Sequence, residues 1–129
     1  MIEKKILFVD DEESQRDVME RVLKRMGYQV TLSSSAENAL EILQNECFPV
    51  IITDLNMPGM DGNTFCRRIR EKDTRAFIYA LSGYIEAYDD FKLAQIGFNG
   101  FLRKPTTYQM LKQAIEKAFD RLEGLADSP

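Results

Sequence analysis

Carboxylates stand directly after two of the most apolar runs in the sequence. Asp10 and Asp11 follow Lys5–Val9, and Asp54 follows Pro49–Thr53. Short apolar runs of this kind predict buried strands, and an open parallel sheet binds ligands beyond the carboxyl ends of its strands. At an effective dielectric constant of about 20, two carboxylates roughly 4 Å apart repel each other by about 4 kcal/mol. Three acids at one sheet edge therefore need a proton or a cation between them.

The ligand types favour a hard divalent cation over a transition metal. Carboxylate oxygens suit Mg²⁺ with several waters, and Mn²⁺ is the alternative ion. Two further polar residues, Ser82 and Lys104, follow other apolar runs. Taken singly, Ser82 fits a helix cap, Lys104 a counter-ion, and Asp10 with Asp11 a helix cap. Taken together, acids with a cation, a hydroxyl and an ammonium form the surroundings that an anionic phosphoryl group needs.

Alternating strand-like and helix-like segments must bring these residues to one edge. The predicted strands are Lys5–Val9, Tyr28–Leu32, Pro49–Thr53, Ala76–Leu81 and Gly100–Arg103. The predicted helices are Ser14–Met26, Ala36–Leu43, Asn63–Glu71, Ile85–Ile96 and about Thr106–Leu122. Strict alternation predicts an α/β fold with parallel strands and right-handed crossovers. We expect a doubly wound five-stranded sheet of flavodoxin-like order 2-1-3-4-5, with the topological switch point between strands 1 and 3.

Two helices have apolar residues at core-facing spacing. They are Val18, Met19, Val22, Leu23 and Met26 in the first helix, and Met110, Leu111, Ile115, Ala118 and Phe119 in the last. No linker or repeat interrupts the pattern. We therefore expect one domain over residues 1–123 and a flexible C-terminal tail over residues 124–129.

Composition excludes several classes of function. The chain has 129 residues, a net charge of −4 and no histidine. The charge disfavours direct nucleic-acid binding, and the lack of histidine removes histidine-based catalysis, histidine-containing zinc sites and a phosphohistidine on this chain. Cys47 and Cys66 lack metal-ligand spacing, which indicates free thiols in a reducing compartment. With no secretory or membrane-spanning pattern, we expect a cytoplasmic protein with no membrane contact.

Four motifs together resemble the response-regulator receiver domains of two-component signalling, the CheY-like group. They are Val9-Asp10-Asp11, Asp54-Leu55-Asn56-Met57-Pro58-Gly59-Met60-Asp61-Gly62, Leu81-Ser82-Gly83 and Lys104-Pro105. The resemblance covers Lys5 to about Leu122. It implies a CheY-like (βα)5 fold and a phosphorylation-dependent switch rather than an enzyme, one that assists only its own phosphotransfer and autodephosphorylation.

The resemblance also implies a role for each site residue. Asp54 would accept a phosphoryl group from a phosphohistidine on a sensor histidine kinase or a histidine phosphotransfer protein. Asp11 and Asp54 would bind Mg²⁺ through their side chains, Asp10 mainly through water, and Asn56 through its backbone carbonyl. Lys104 would pair with Asp54 and then with a phosphoryl oxygen.

The same resemblance implies how the site is read. Ser82 would bond a phosphoryl oxygen and pull in the loop after the fourth strand, and Phe101 stands at the position of a rotating aromatic switch. The Lys104–Pro105 peptide bond would be cis. Serine replaces the common threonine at position 82, which keeps the hydroxyl, and phenylalanine replaces the frequent tyrosine at position 101, which leaves the ring without one.

The output surface implied by the resemblance is the face of the fourth helix, fifth strand and fifth helix. Aromatic residues in or near it are Tyr84, Tyr88, Phe91, Phe98, Phe101 and Tyr108. They would form a partner surface, or else pack mostly in the core. The partner that recognises this face would be a downstream protein or an output domain outside this sequence. The chain could therefore be a single-domain regulator or a fragment of a longer protein. A monomer or a weak dimer through this face is expected.

Three other functions compete with a phosphorylation switch. Asp54-Leu55-Asn56 faintly echoes haloacid-dehalogenase-type phosphatases, but these need a second aspartate where Asn56 stands. A flavodoxin would need a phosphate-cradling loop after the first strand, where the run from Asp10 to Glu13 would repel the phosphate. A receiver that only docks, without phosphorylation, is the third alternative.

Overall fold

The strands form one parallel sheet with helices on both sides. The computed structural model describes residues 2–83 and 90–126. In that part of the chain the strands are β1 Lys5–Val9, β2 Gln29–Ser33, β3 Val50–Asp54, β4 Phe77–Ser82 and β5 Gly100–Arg103. The helices are α1 Glu13–Arg25, α2 Ala36–Leu43, α3 Gly62–Arg70, α4 Asp90–Ile96 and α5 Tyr108–Ala126. The sheet order is β2-β1-β3-β4-β5, which confirms the predicted α/β fold.

The strand register aligns the ends that carry the polar residues. Val9 pairs with Thr53 across β1 and β3, so Asp10 and Asp54 follow at equivalent heights. Asp54 pairs with Leu81 across β3 and β4, which places Ser82 one residue further along. All pairings are parallel, so the carboxyl ends of the strands meet at one edge of the sheet.

Side-chain alternation along the strands divides the core into two layers. Leu7 and Ile51 pack with α2, α3 and α4 on one face of the sheet. Ile6 and Ile52 pack with α1 and α5 on the other face. Successive strand residues point to opposite faces, and both faces are apolar, so β1 is buried from Ile6 onward and β3 is buried throughout. Buried neighbours on both sides hold the end of β3, and with it Asp54, in place.

Side chains cap the starts of three helices. Ser35 accepts a hydrogen bond from the Asn38 amide (3.0 Å) at α2. Asp61 accepts one from the Thr64 amide (2.8 Å) at α3. The Thr107 hydroxyl accepts one from the Met110 amide (3.1 Å) at α5. Each cap satisfies an amide that has no partner within its helix, and caps at Asp61 and Thr107 fix the helix starts that follow the site loops.

Two residues predicted to face the core are exposed. Val18 is 49% and Met110 is 51% exposed. Both belong to the predicted apolar arcs but lie at their edges, about 100° around the helix from Met19 and Leu111, which are buried. The sequence period identifies an apolar face, whereas packing buries only its centre.

The predicted end of the last helix at Leu122 was too early. Helix α5 begins at Tyr108 and continues through Gly124 to Ala126. Glycine costs about 1 kcal/mol relative to alanine within a helix, a small penalty when the buried Leu122 anchors the preceding turn. The predicted start of the fourth helix at Ile85 lies outside the described residues.

Candidate functional site

The three predicted acids come together at the edge where β1 and β3 end. Asp10 is fully buried, Asp54 is 4% exposed, and Asp11 is exposed. Each offers a carboxylate oxygen, and these oxygens lie within 4.8 Å of one another. Asp54 is the last residue of β3 rather than the first residue after it. The acidic cluster predicted from the sequence therefore exists, with two of its members held in the sheet interior.

Four contacts hold Asp10 in one orientation. Its Oδ1 accepts a hydrogen bond from the Glu12 amide (3.0 Å), and its Oδ2 accepts one from Lys104 Nζ (3.3 Å). Its amide donates to the Ser33 carbonyl (3.1 Å), and its carbonyl accepts from Arg16 Nη1 (2.8 Å). The N-cap of α1 is Glu12, which makes no side-chain cap bond. Helix capping by Asp10 and Asp11 was therefore the wrong alternative.

Both oxygens of Asp54 are also oriented. Its Oδ2 accepts from Lys104 Nζ (3.0 Å), and its Oδ1 accepts from the Asn56 amide (3.2 Å). The Asn56 amide is thus turned toward Asp54, whereas the predicted part of Asn56 in a metal site is its carbonyl. Because Lys104 occupies one side of the carboxylate, the other oxygen faces Asn56 and the acidic cluster.

Lys104 bridges the two buried acids from the end of β5. Burial tends to lower the pKa of its ammonium, but the hydrogen bond to Asp54 and the charges of both acids outweigh it and raise the pKa. Burial raises the pKa of Asp10, against the Glu12 hydrogen bond and the Lys104 charge. The Lys104–Pro105 peptide bond is cis, in agreement with the expectation.

Ser82 ends β4 at the same edge and is 2% exposed. Its carbonyl accepts a hydrogen bond from the Lys104 amide (2.9 Å). Asp54 and Ser82 end β3 and β4, and Lys104 directly follows β5, so backbone pairing holds the three residues in register. The predicted polar set is brought together by this edge.

Two residues that position the site were missed by sequence reasoning. Arg16 reaches back from α1 to the Asp10 carbonyl, and no sequence signal marks that contact. Gly62 packs against the end of β3, where an added Cβ would overlap the Asp54 carbonyl and lie 2.8 Å from Leu55 Cα. In the sequence Gly62 stood out only as the last residue of the Asp54–Gly62 motif, yet its missing side chain allows α3 to begin directly beside Asp54.

The predicted switch residue lies apart from the acids. Phe101 is half-buried in β5 and packs against the layer formed with α2, α3 and α4. It lines a groove of about 580 Å³ between α4, β5 and α5, together with Tyr79, Leu93 and Met110. Two residues of β5, Leu102 and Arg103, separate Phe101 from Lys104. One short strand therefore connects Lys104 to the groove.

The other predicted aromatic residues divide between surface and core. Phe98 is 5% exposed, whereas Phe91 is 71% and Tyr108 is 45% exposed. Tyr84 and Tyr88 lie outside the described residues. Of these residues that the structure describes, Phe98 packs in the core, whereas Phe91 and Tyr108 present their rings to solvent.

The donor set fits a divalent cation. Three carboxylates and the Lys104 ammonium leave a formal charge of −2 in a partly buried cluster. The cluster offers oxygen ligands, which hard divalent ions prefer. These residues can therefore hold Mg²⁺ or Mn²⁺. Among the described residues, no helix combines the length and the apolarity needed to cross a bilayer.

Comparisons with known proteins agree with this geometry. The family model for the response regulator receiver domain matches residues 6–116. The chemotaxis protein CheY of Pseudomonas aeruginosa is 37% identical over 123 residues, which cover 93% of this chain and 99% of that protein. The family model extends from β1 into α5.

Solved structures give the same result. A receiver domain from Clostridium thermocellum superposes with a TM-score of 0.88 at 31% identity, covering 94% of this chain and 98% of that one. The receiver domain of a Pseudomonas aeruginosa sensor histidine kinase, described with a magnesium ion coordinated in its active-site cleft, gives 0.84 at 28% identity, covering 92% and 98%. This chain therefore belongs to the CheY-like response regulator receiver domains of two-component signalling.

Proposed function

We propose that this receiver is a phosphorylation-dependent switch with Asp54 as the phosphoryl acceptor. The observation that carries the proposal is the Lys104 ammonium, 3.0 Å from Asp54 and 3.3 Å from Asp10, beside the cluster of three carboxylates. The Lys104 ammonium fixes the orientation of the buried Asp54 carboxylate, which leaves one direction from which this carboxylate can attack. The other acids provide the oxygen ligands for a divalent ion.

The proposed transfer takes place from a histidine on another protein. An Asp54 oxygen attacks the phosphorus of a phosphohistidine, a P–O bond forms, the P–N bond breaks, and its electron pair leaves with the imidazole nitrogen. The chain has no histidine of its own. A sensor histidine kinase or a histidine phosphotransfer protein is therefore the proposed donor, and the protein acts on its own Asp54 rather than as an enzyme on a separate substrate.

The remaining residues bind the charged group. Asp11 and Asp54 would hold Mg²⁺ or Mn²⁺ through side chains, Asp10 mainly through water, and Asn56 through its backbone carbonyl. A bound divalent ion neutralises phosphoryl charge and aligns the displacement. Lys104 stays on a phosphoryl oxygen after transfer, and the Ser82 hydroxyl donates to another.

The proposed output is a change in the face formed by α4, β5 and α5. Phosphorylation replaces the Asp54 carboxylate with a phosphoryl oxygen as the charge partner of Lys104. This change biases a two-state element. Phe101 turns within the groove as part of that change. The partner that recognises this face is a downstream protein or an output domain. The protein acts in the cytoplasm, without binding nucleic acid. It is a monomer or a weak dimer through this face.

Phosphorylation can be tested with a small phosphodonor. We expect acetyl phosphate with Mg²⁺ to add one phosphoryl group, measured by intact mass and removed by hydroxylamine, as an acyl phosphate requires. D54N and metal chelation should each abolish the addition. Folded parent protein that gains no phosphoryl group, and shows no spectral change with beryllofluoride and Mg²⁺, would instead support the docking module that works without phosphorylation.

A further inference from the structure

The end of β5 opposite the acidic cluster is fixed by an arginine that the proposed phosphotransfer does not use. Arg70, in the last turn of α3, donates from Nε to the Gly97 carbonyl (2.8 Å) and from Nη2 to Asn99 Oδ1 (2.7 Å). Its Nη1 donates to the Asp73 carbonyl (3.3 Å). Two donors of one half-buried guanidinium therefore join the end of α3 to the turn between α4 and β5, and the third binds the loop that follows α3.

Asn99 extends this anchor into the sheet. Its Oδ1 also accepts from the Ile78 amide (2.7 Å), and its own amide donates to the Ile78 carbonyl (2.8 Å). The side chain thereby continues the β4–β5 pairing one residue before β5 begins at Gly100. The Asn99 Oδ1 atom, directly before β5, thus binds both β4 and Arg70.

Gly97 leaves the room that Arg70 needs. Its φ of +129° favours glycine, and an added Cβ would lie 2.8 Å from Arg70 Cγ and 3.4 Å from Cys66 Sγ. The arginine stem therefore passes directly under the turn that ends α4. The turn, the stem and the buried face of α3 form one packed unit.

We propose that Arg70 is a positioning residue of the switch, which holds the start of β5 still so that a change at Lys104 is transmitted to Phe101 and α4 instead of shifting the strand. The proposal rests on the proposed phosphorylation function. Strand β5 has only four residues, with Arg70 and Asn99 at one end and Lys104, bound to Asp54, at the other. Phe101 lies between these two ends. Because the start of β5 is fixed, the response to a change at Lys104 is confined to the side of β5 that lines the groove.

The anchor itself can be measured without any activator. We expect R70M to raise the hydrogen-exchange rates of the Ile78 and Asn99 amides at least about tenfold, since charge-assisted bonds to Asn99 and Gly97 are lost. N99A should act alike, and R70M with N99A should add little to either change. N99D should retain the protection, because a carboxylate oxygen still accepts from Ile78 and Arg70.

The matched control is R68M, which removes the same charge from the same helix. Arg68 is exposed and makes no hydrogen bond or ion pair within the described part of the chain. We expect its exchange rates to remain within about twofold of the parent, because a surface charge without contacts contributes little. Equal rates in R70M and R68M would contradict the anchor.

The signalling role is tested by adding beryllofluoride with Mg²⁺ and recording ¹H–¹⁵N spectra. We expect R70M to bind beryllofluoride with a midpoint within about threefold of the parent, but to lose at least about half of the shift changes at Phe101 and Leu93. R68M and N99D should respond fully. A full response in R70M, compared at equal folded fractions, would overturn the proposal.

Failure of the proposed function gives a different result. In that case the parent protein itself shows no beryllofluoride response, and the positioning role falls with the function. Failure of the inference alone appears as a parent that responds and an R70M variant that responds equally.

Discussion

At the scale of single residues, Lys104 contributes both to the stability of the fold and to the charge of the site. Its ammonium contacts Asp10, which has no exposed surface, and Asp54, which has almost none. A lysine with two buried acidic partners cannot be removed without leaving buried charge. Removing one member of a buried pair costs about 3 kcal/mol or more.

We therefore expect K104M to lower the free energy of unfolding by about 3 kcal/mol in chelator. The loss should shrink when Mg²⁺ is added, because a divalent ion replaces the missing positive charge. Urea unfolding with and without Mg²⁺ measures both values. K112M, a change of an exposed lysine on α5, is the control. A K104M protein as stable as K112M in chelator would contradict this account.

The buried thiol of Cys66 makes the free energy of unfolding depend on pH. Burial raises the pKa of its thiol from the usual 9.0 to about 11, against the opposing charges of Arg70 and Arg67. The unfolded thiol ionises first as pH rises, so the stabilisation is complete below pH 9 and is lost as pH rises toward 11. Two pKa units correspond to a loss of about 3 kcal/mol.

The pH effect can be isolated with C66A. We expect the unfolding free energy of the parent to fall between pH 9 and pH 11 by about 2 kcal/mol more than that of C66A, since the rest of the loss falls outside this pH range. At pH 8 the exposed Cys47 should react with iodoacetamide while the buried Cys66 does not. Parallel pH profiles for the two proteins would refute the assignment.

At the scale of elements, the start of α3 depends on the absence of a side chain. Gly62 is the first residue of α3, and its amide donates to the Leu55 carbonyl (3.0 Å). An added Cβ would meet backbone atoms of Asp54 and Leu55, which cannot rotate away. The loop from Asn56 to Asp61 is thus closed by a tight contact between helix and strand.

We expect G62A to destabilise the protein by about 2 kcal/mol or more, because overpacked backbone must shift. G124A is the matched control: a Cβ there meets nothing within 4 Å, and alanine favours the helix by up to about 1 kcal/mol. Urea unfolding of both variants should therefore give opposite signs. A neutral G62A would show that α3 can move away from β3.

The existence of the elements was predictable from sequence, whereas their exact limits were not. Strand and helix periods separate cleanly in runs such as Lys5–Val9 and Ser14–Met26, so the α/β alternation followed. Strand β3 extends to Asp54 because hydrogen bonding to β4 continues there, although Asp54 is polar. Val18 and Met110 were misplaced because periodicity gives the direction of an apolar face and not its buried width.

At the scale of the whole molecule, parallel topology converts scattered sequence positions into one site. Asp10, Asp54, Ser82 and Lys104 were predictable as neighbours because each ends or follows a strand of the same parallel sheet. The contacts of Arg16, Gly62 and Arg70 were not predictable, since each depends on how a helix packs and leaves no pattern in the chain. The sequence therefore predicted which residues form the site, whereas helix packing determined which residues position them.

The last prediction concerns the path from the site to the surface. Phe101 lies in β5, three residues before Lys104, and lines the groove of α4, β5 and α5. We expect F101A to be phosphorylated on Asp54 to within about twofold of the parent, because the acidic cluster and Lys104 are unchanged. We also expect its beryllofluoride response at Leu93 to fall by at least about half, since the side chain that links β5 to the groove is gone.

F91A is the control for F101A, because Phe91 is an exposed ring on α4 outside the groove lining. Phosphorylation by acetyl phosphate and amide spectra with beryllofluoride separate the two effects. Phosphorylation and surface response that fall together in F101A would place Phe101 in the acceptor site. A response at Leu93 as large as in F91A would mean that the signal leaves β5 by another route, and Arg70 with the turn at Gly97 offers such a connection to α4.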